Sequence, residues 1–388
     1  MQKQNSIGVI GAGAMGSGIA QVAAQAGHPV VLHDTRQEAL DRSQKALGKV
    51  MDRLVEKGRS SADEARAVQE RITYVTGSGA FAQCDLIIEA IVEDADVKRK
   101  VFTELEAIVG RGTLLATNTS SLSVTAIAGA LAHPDRFMGL HFFNPAPLMP
   151  LVEVVPGMAT DAEATRKAVV LMRTWGKVPV VARDTPGFIV NRLARPFYGE
   201  ALRILEEGMA DIATIDHAMR SVGEFRMGPF ELMDLIGNDV NFAVTSSVFE
   251  AFYYDPRYKP SLTQQRMVEA GWLGRKSGRG YYDHAEGAVH PEPSRDTLLL
   301  ERVCWRILVM LINEAIDALH LGIASAEDLD LAMTKGVNYP KGLLAWAEEK
   351  GLAHCLSSLE ELQAEYGEDR YRPSPLLRRL VRSGGDLF

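Results

Sequence analysis

In the first half of the chain, short apolar runs alternate with longer stretches of helical pattern. Residues 7–10, 30–32, 86–90, 114–116, 137–140 and 151–155 are continuous runs of three to five mostly apolar residues. Such runs read as strands buried on both faces. Between them, residues 17–26 are Ala-rich and close on Gly27, residues 35–71 are polar with helical spacing, and residues 96–109 repeat that spacing. Strands alternating with helices predict a doubly wound, mainly parallel α/β sheet. The texture changes at Asp184-Thr185-Pro186-Gly187, where a helix is expected to start with Asp184 or Thr185 as N-cap and Pro186 in its first turn. From there to Tyr282 the pattern is helical.

The last third repeats the middle third. An offset of 114 residues pairs Glu200-Ala201 with Glu314-Ala315, Gly208 with Gly322, Asp216 with Asp330 and Ala218-Met219 with Ala332-Met333. After one residue is lost, an offset of 113 pairs Tyr258, Pro260, Ser261, Arg266, Val268 and Gly271 with Tyr371, Pro373, Ser374, Arg379, Val381 and Gly384. This predicts a duplicated helical domain. The expected organisation is therefore a Rossmann-like domain over 1–184, a helical domain over 185–283, a linker over 284–298 containing Gly287, Pro291 and Pro293, and a degenerate second helical copy over 299–388. The second copy lacks counterparts of Thr185-Pro186-Gly187-Phe188 and of Asn191, so one active site per chain is expected.

Bulk properties narrow the function. A chain of 388 residues with 46% hydrophobic content has ample material for more than one core. A net charge of −8 argues against a nucleic-acid binder. Cys84, Cys304 and Cys355 are odd in number and far apart, which fits reduced thiols in a cytoplasmic protein. MQKQNS runs straight into the first strand, so no signal peptide is expected, and no apolar run is long enough for a membrane span. The nine histidines show no metal-ligand spacing, so no metal is expected.

The chemistry begins at Gly11-Ala12-Gly13-Ala14-Met15-Gly16, a G-x-G-x-x-G turn between a strand and a helix. Gly11 permits the tight turn, Gly13 leaves room for a pyrophosphate, and Gly16 lets helix and strand approach. Asp34, about 20 residues on, is placed to accept from ribose hydroxyls and to repel a 2′-phosphate, so NAD is expected over NADP. Arg36 stands close enough to soften that preference. Asp34, Glu93, Asn118, Ser120 and His141 all fall at or just beyond strand ends, where ligands bind in such sheets. Arg42, Lys45, Lys49, Arg53 and Lys57 recur at steps of three or four. They read either as a solvated helix face or as a stripe meeting the phosphates of an acidic substrate. Oxidising an alcohol with a nicotinamide needs a base, and His141 with Glu153 on the following strand would supply one; each residue also fits a structural role.

Taken together, GAGAMGSGIA at 11–20, AIVEDADVK at 90–98, NTSSL at 118–122, GLHFFNPAPLMPLVEVV at 139–155, DTPGFIVNR at 184–192, GPFELMDLIG at 228–237 and GRKSGRGYY at 274–282 resemble the L-3-hydroxyacyl-CoA dehydrogenases. The duplicated helical region is similar to that of multifunctional fatty-oxidation enzymes and phenylacetate-pathway members. The resemblance implies NAD-dependent interconversion of L-3-hydroxyacyl-CoA and 3-oxoacyl-CoA. It implies His141 as acid/base, Glu153 as its orienting carboxylate, Asn191 at the reacting group and Ser120 beside the nicotinamide. It further implies cofactor-site roles for Glu93, Lys98, Asn118 and Lys276, and a place for CoA phosphates near the basic helix, with Lys57 the best single candidate. Arg275 stands where many relatives have Lys, which keeps the charge. A monomer or homodimer is expected. Two other readings stand beside this one: a dehydrogenase of a free hydroxy compound such as L-gulonate or carnitine, and a non-catalytic NAD-binding structural protein.

Overall fold

The computed structural model describes residues 5–388, in two compact units that divide between Thr185 and Pro186. The first unit is an eight-stranded sheet: β1 Ile7–Ile10, β2 Val30–His33, β3 Ile72–Val75, β4 Leu86–Glu89, β5 Leu114–Thr117, β6 Phe137–Phe142, β7 Leu151–Pro156 and β8 Val178–Val181. Its order is β3-β2-β1-β4-β5-β6-β7-β8, with every neighbouring pair parallel except β6 and β7. The helices are α1 Ala14–Gln25, α2 Gln37–Glu56, α3 Ala62–Glu70, α4 Ala95–Glu106, α5 Val124–Ala128 and α6 Ala162–Thr174.

Alternation along the strands decides which helices cover which face. Ile7, Val9, Leu32, Leu86, Ile88, Leu140, Val152 and Val154 form one core with Ile19 and Ala23 of α1, Leu40 and Met51 of α2, Val68 of α3 and Met172 of α6. On the opposite face Phe102 of α4 meets Phe137 edge-on at 4.6 Å. Both faces are therefore sealed, which is what lets the strands be apolar throughout.

Two strands were not apparent in the sequence pattern. β3 (ITYV) carries an exposed Thr73, and β8 (VPVV) contains Pro179, which demotes a run from strand to loop. The long helical stretch expected over 35–71 is two helices. It breaks at Gly58, at φ +64°, and α3 restarts on a capping box in which the Ser61 hydroxyl and the Glu64 carboxylate each accept the other residue's backbone N–H.

The second unit is helical: α7 Val190–Leu193, α8 Arg195–Glu206, α9 Ile212–Ser221, α10 Pro229–Ile236, α11 Asn238–Ala251, α12 Leu262–Glu269, α13 Thr297–His320, α14 Ala326–Gly336, α15 Leu343–Lys350, α16 Leu352–Tyr366 and α17 Pro375–Ser383. The helix expected to start at Asp184 starts instead at Val190. Gly187 at φ +74° and Phe188 at φ +47° hold a turn that no right-handed helix accommodates. Asp184 caps a different helix, its carboxylate accepting from Val124 N–H, Thr125 N–H and the Ser123 hydroxyl at the start of α5.

The repeat seen in the sequence recurs as paired helices. Asp216 accepts the N–H groups of Phe230 and Glu231 at the start of α10, and Asp330 accepts those of Leu344 and Ala345 at the start of α15, each 114 residues on. Gly228 and Gly342 let these aspartates approach, since a Cβ there would lie 2.3 Å and 2.1 Å from the side chain. The second copy's first helix begins at Thr297, within the last two residues of the expected linker.

Candidate active site

Gly11, Gly13 and Gly16 have separate physical jobs. Gly11 sits at φ +99°, and a Cβ there would meet the Ala90 carbonyl oxygen at 2.5 Å. At Gly16 a Cβ would meet the Gly11 carbonyl oxygen at 1.8 Å, so these two glycines close the turn. Gly13 faces open space, and it is the N-cap of α1 with no side-chain cap. The first-turn N–H groups of Ala14, Met15 and Gly16 are left for an anion, and the helix dipole favours one there. Asp34 follows β2; one carboxylate oxygen accepts Ala12 N–H at 2.9 Å and the other accepts Arg36 N–H at 3.0 Å. Beside them a cavity of about 540 Å³ is lined by Gly11, Asp34, Thr35, Val92, Val97 and Ile108. An uncapped helix start, a glycine with free space and a carboxylate beside an apolar cavity fit a dinucleotide.

Glu93 organises the loop after β5. Its Oε1 accepts the Thr119 hydroxyl at 2.5 Å, Ser120 N–H at 3.0 Å and the Ser121 hydroxyl at 3.1 Å, while Oε2 pairs with Lys98 at 3.2 Å. Burial pushes the Glu93 carboxyl up, but the Thr119 hydroxyl, the Lys98 charge and the Ser120 N–H outweigh it and hold the group below its usual range. Lys98 is sealed from solvent and also pairs with buried Glu89 at 2.6 Å. Glu89 in turn accepts the Thr117 hydroxyl at 2.7 Å. Asn118 Oδ1 accepts Phe142 N–H at 2.8 Å, tying this loop to the end of β6. Thr119, which sequence reading passed over, is the residue through which Glu93 fixes the loop; its place inside the NTS motif was the available signal.

His141 and Glu153 face each other across the antiparallel β6–β7 pair. His141 Nδ1 lies 2.6 Å from Glu153 Oε2, with His141 6% exposed and Glu153 closed to solvent. A cross-strand pair fixes both side chains on the same face, so the ring is held by the sheet itself. The other ring nitrogen, Nε2, is then the one a substrate hydroxyl would use.

The remaining expected residues fall on α2 and in the second unit. Arg42, Lys45, Lys49, Arg53 and Lys57 are all exposed on α2 and at its C-cap. Asn191 is in α7 of the second unit, where its carbonyl accepts Arg195 Nε at 2.9 Å. Lys276 is also in the second unit, with its ammonium on the Asp239 carboxylate at 2.5 Å.

This combination of a doubly wound sheet, a glycine turn with its acidic partner and a buried His–carboxylate pair defines an NAD-dependent alcohol dehydrogenase class. Residues 6–185 match the family model for the 3-hydroxyacyl-CoA dehydrogenase NAD-binding domain. Residues 187–284 and again 303–385 match the model for the C-terminal domain of the same enzymes. The chain belongs to the 3-hydroxyacyl-CoA dehydrogenase family. It is 41% identical to the 3-hydroxyadipyl-CoA dehydrogenase of Escherichia coli K12, over 98% of each chain. It is 44% identical to a probable 3-hydroxybutyryl-CoA dehydrogenase of Deinococcus radiodurans, over 71% of this chain and 99% of that one. The crystal structure of a 3-hydroxybutyryl-CoA dehydrogenase from E. coli K12, 41% identical, superposes with a TM-score of 0.93, covering 98% of this chain and 99% of that one. The protein is an NAD-dependent oxidoreductase acting on the CH–OH of 3-hydroxyacyl-CoA. No helix among the described residues is long and apolar enough to cross a membrane.

Proposed function

We propose that this chain interconverts L-3-hydroxyacyl-CoA and 3-oxoacyl-CoA through a His141–Glu153 acid/base dyad. The observation that carries the assignment is the 2.6 Å contact between these two buried side chains. NAD, when bound, supplies the hydride acceptor in one direction and, as NADH, the donor in the other. His141 takes the hydroxyl proton on oxidation and returns it on reduction. Glu153, unable to reach water, stabilises the imidazolium and keeps the reactive nitrogen turned to substrate. Ser120, whose loop is pinned by Glu93, and Asn191 position the 3-oxygen and the thioester carbonyl. Gly11 to Gly16, Asp34, Glu93, Lys98, Asn118 and Lys276 make or brace the cofactor site. The exposed basic face ending at Lys57 receives the CoA phosphates.

The NAD-binding domain ends at 184, the first helical domain at 283 and the linker at 298; the two C-terminal family-model matches and the paired aspartate caps support the duplication. We assign the enzyme to the cytoplasm, where its three unpaired, buried thiols would stay reduced. A monomer is favoured over a homodimer because each helical copy buries charged groups of the other within one chain. Degradation of fatty acids or phenylacetate is the setting assigned.

Steady-state NADH oxidation tests this, with acetoacetyl-CoA and 3-oxoadipyl-CoA run beside free acetoacetate. Turnover confined to the CoA esters is the expected result. NAD binding without turnover of either ester would replace this reading with a dehydrogenase of a free hydroxy compound.

A further inference from the structure

Six arginines are buried among the described residues: Arg136, Arg192, Arg195, Arg257, Arg306 and Arg370. Five of them face a carboxylate. Arg136 pairs with Glu106, Arg192 and Arg257 with Glu314 and Asp317, Arg306 with Glu200 and Glu207, and Arg370 with Glu200 and Glu368. Arg195 has none. Its Nε donates to the Asn191 carbonyl at 2.9 Å, its Nη1 to the Thr245 hydroxyl at 3.0 Å, and its guanidinium lies 5.0 Å from the centre of the Tyr198 ring. All are neutral partners. The residue is 6% exposed. Removing a guanidinium from water without an anion is expensive, and burial alone is enough to lower its pKa. It also opens α8, where the helix dipole disfavours a cation.

A second buried group in this neighbourhood is unsatisfied. The hydroxyl of Tyr339, whose ring lies 5.9 Å from that of Phe197 on the first turn of α8, is buried and has no hydrogen-bond partner among the described residues. Its ring packs on Phe197 and Phe225, which hold it in place.

The internal repeat separates packing from function. The 114-residue offset carries Arg192 onto Arg306 and Glu200 onto Glu314, and these framework residues are retained in both copies. The same offset carries Asn191 onto Trp305, Arg195 onto Val309 and Thr245 onto Leu359. A polar trio in the first copy is apolar in the second. The copy that has lost Asn191 has also lost Arg195 and the hydroxyl that orients it, so a helical fold of this kind does not need them. Asn191 and Arg195 are four residues apart, about one helical turn or roughly 5.4 Å along the axis.

We propose that Arg195, oriented by Thr245, is a specificity-determining residue that receives the terminal carboxylate of a dicarboxylic 3-hydroxyacyl-CoA. This rests on the reading that Asn191 contacts the reacting group. A short methylene spacer past the reacting carbon then brings a second carboxylate to the guanidinium. The anion supplies the charge that Arg195 lacks, and the Tyr339 hydroxyl is a further donor for it. A monocarboxylic chain such as acetoacetyl leaves the cation unpaired.

The test compares kcat/KM for 3-oxoadipyl-CoA and acetoacetyl-CoA in the wild type and in Arg195→Met. The ratio of the two is expected to fall on the order of 100-fold, because a site built for a polar group discriminates strongly by that group. Arg195→Lys, which keeps a cation, is expected to recover part of the ratio, and Thr245→Val to lower it. A ratio unchanged within about threefold in Arg195→Met overturns the assignment. Calorimetric binding of adipyl-CoA and hexanoyl-CoA to the wild-type protein needs neither a variant nor turnover. Adipyl-CoA is expected to bind at least about tenfold tighter; equal or weaker binding overturns the assignment even if Arg195→Met fails to fold. Preferential adipyl-CoA binding with no turnover of either oxo ester would sustain this carboxylate site and reject the reaction assigned above.

Discussion

Arg192 of the first helical copy donates its Nε to Glu314 of the second at 2.6 Å, with both side chains buried. The relation is reciprocal: Arg306 of the second copy reaches Glu200 of the first at 2.7 Å. Tyr258 and Tyr371 repeat the exchange, each hydroxyl donating to the glutamate of the other copy at 2.6 Å. The two copies thus pack as an isologous pair within one chain.

Breaking one half of this exchange takes from buried cations their buried glutamate partner. Glu314→Ala leaves Arg192 and Arg257 to share Asp317 alone and is expected to cost up to about 3–5 kcal/mol of stability, read from denaturant unfolding. Burial pushes the Glu314 carboxyl up, but the two arginines and the Tyr258 hydroxyl hold it below its usual range. A group depressed in this way stabilises the fold above its unfolded pKa and loses that contribution as pH falls through the folded one. The gap between wild type and variant is therefore expected to stay open through neutral and mildly acidic pH and to narrow only below the usual carboxylate range.

Glu93 acts through the loop it pins. Glu93→Ala frees Thr119, Ser120 and Ser121 and removes one partner of Lys98, while Glu89 remains as the other. Steady-state kinetics should show kcat/KM for acetoacetyl-CoA reduced by roughly 10–100-fold, since loss of positioning is felt in the transition state. Unchanged kinetics would mean that the loop is fixed by other contacts.

Asp34 carries the cofactor preference. The wild type is expected to use NADH far better than NADPH, and Asp34→Ser to shrink the ratio of their kcat/KM values by about tenfold or more. The variant also loses the cap on Ala12 N–H, so its KM for NADH should rise. Retention of the full preference in Asp34→Ser would move the discrimination elsewhere.

The basic face of α2 predicts a salt-sensitive KM. Reversing Lys49 and Lys57 to Glu should raise KM for acetoacetyl-CoA by about tenfold at low ionic strength, leave KM for NADH alone, and have a smaller effect as salt screens the charges. A free-acid substrate would be indifferent to the reversal, and so would a merely solvated face.

Much of this was legible beforehand, for reasons that differ by residue. The glycine turn and Asp34 were readable because backbone geometry dictates glycine at fixed spacing. The His141–Glu153 pairing followed from two adjacent apolar strands, although only the register shows that the two residues stand directly opposite. β3 and β8 were hidden by an exposed threonine and a proline. The start of the second unit's first helix was misplaced because Pro186 and Asp184 resemble a helix opening, while the positive φ of Phe188 is a tertiary effect that no local rule anticipates. Arg195 was overlooked because a lone arginine at a helix start looks like a solvated charge; the 114-residue offset that turns it into Val309 was already present in the sequence.

The central claim is that His141 moves the proton, and the direct measurement is acetoacetyl-CoA reduction by His141→Ala together with its affinity for NADH. The account predicts NADH binding close to wild type and turnover reduced by about 10²–10⁴-fold. Turnover within a few-fold of wild type, with binding intact, would contradict it.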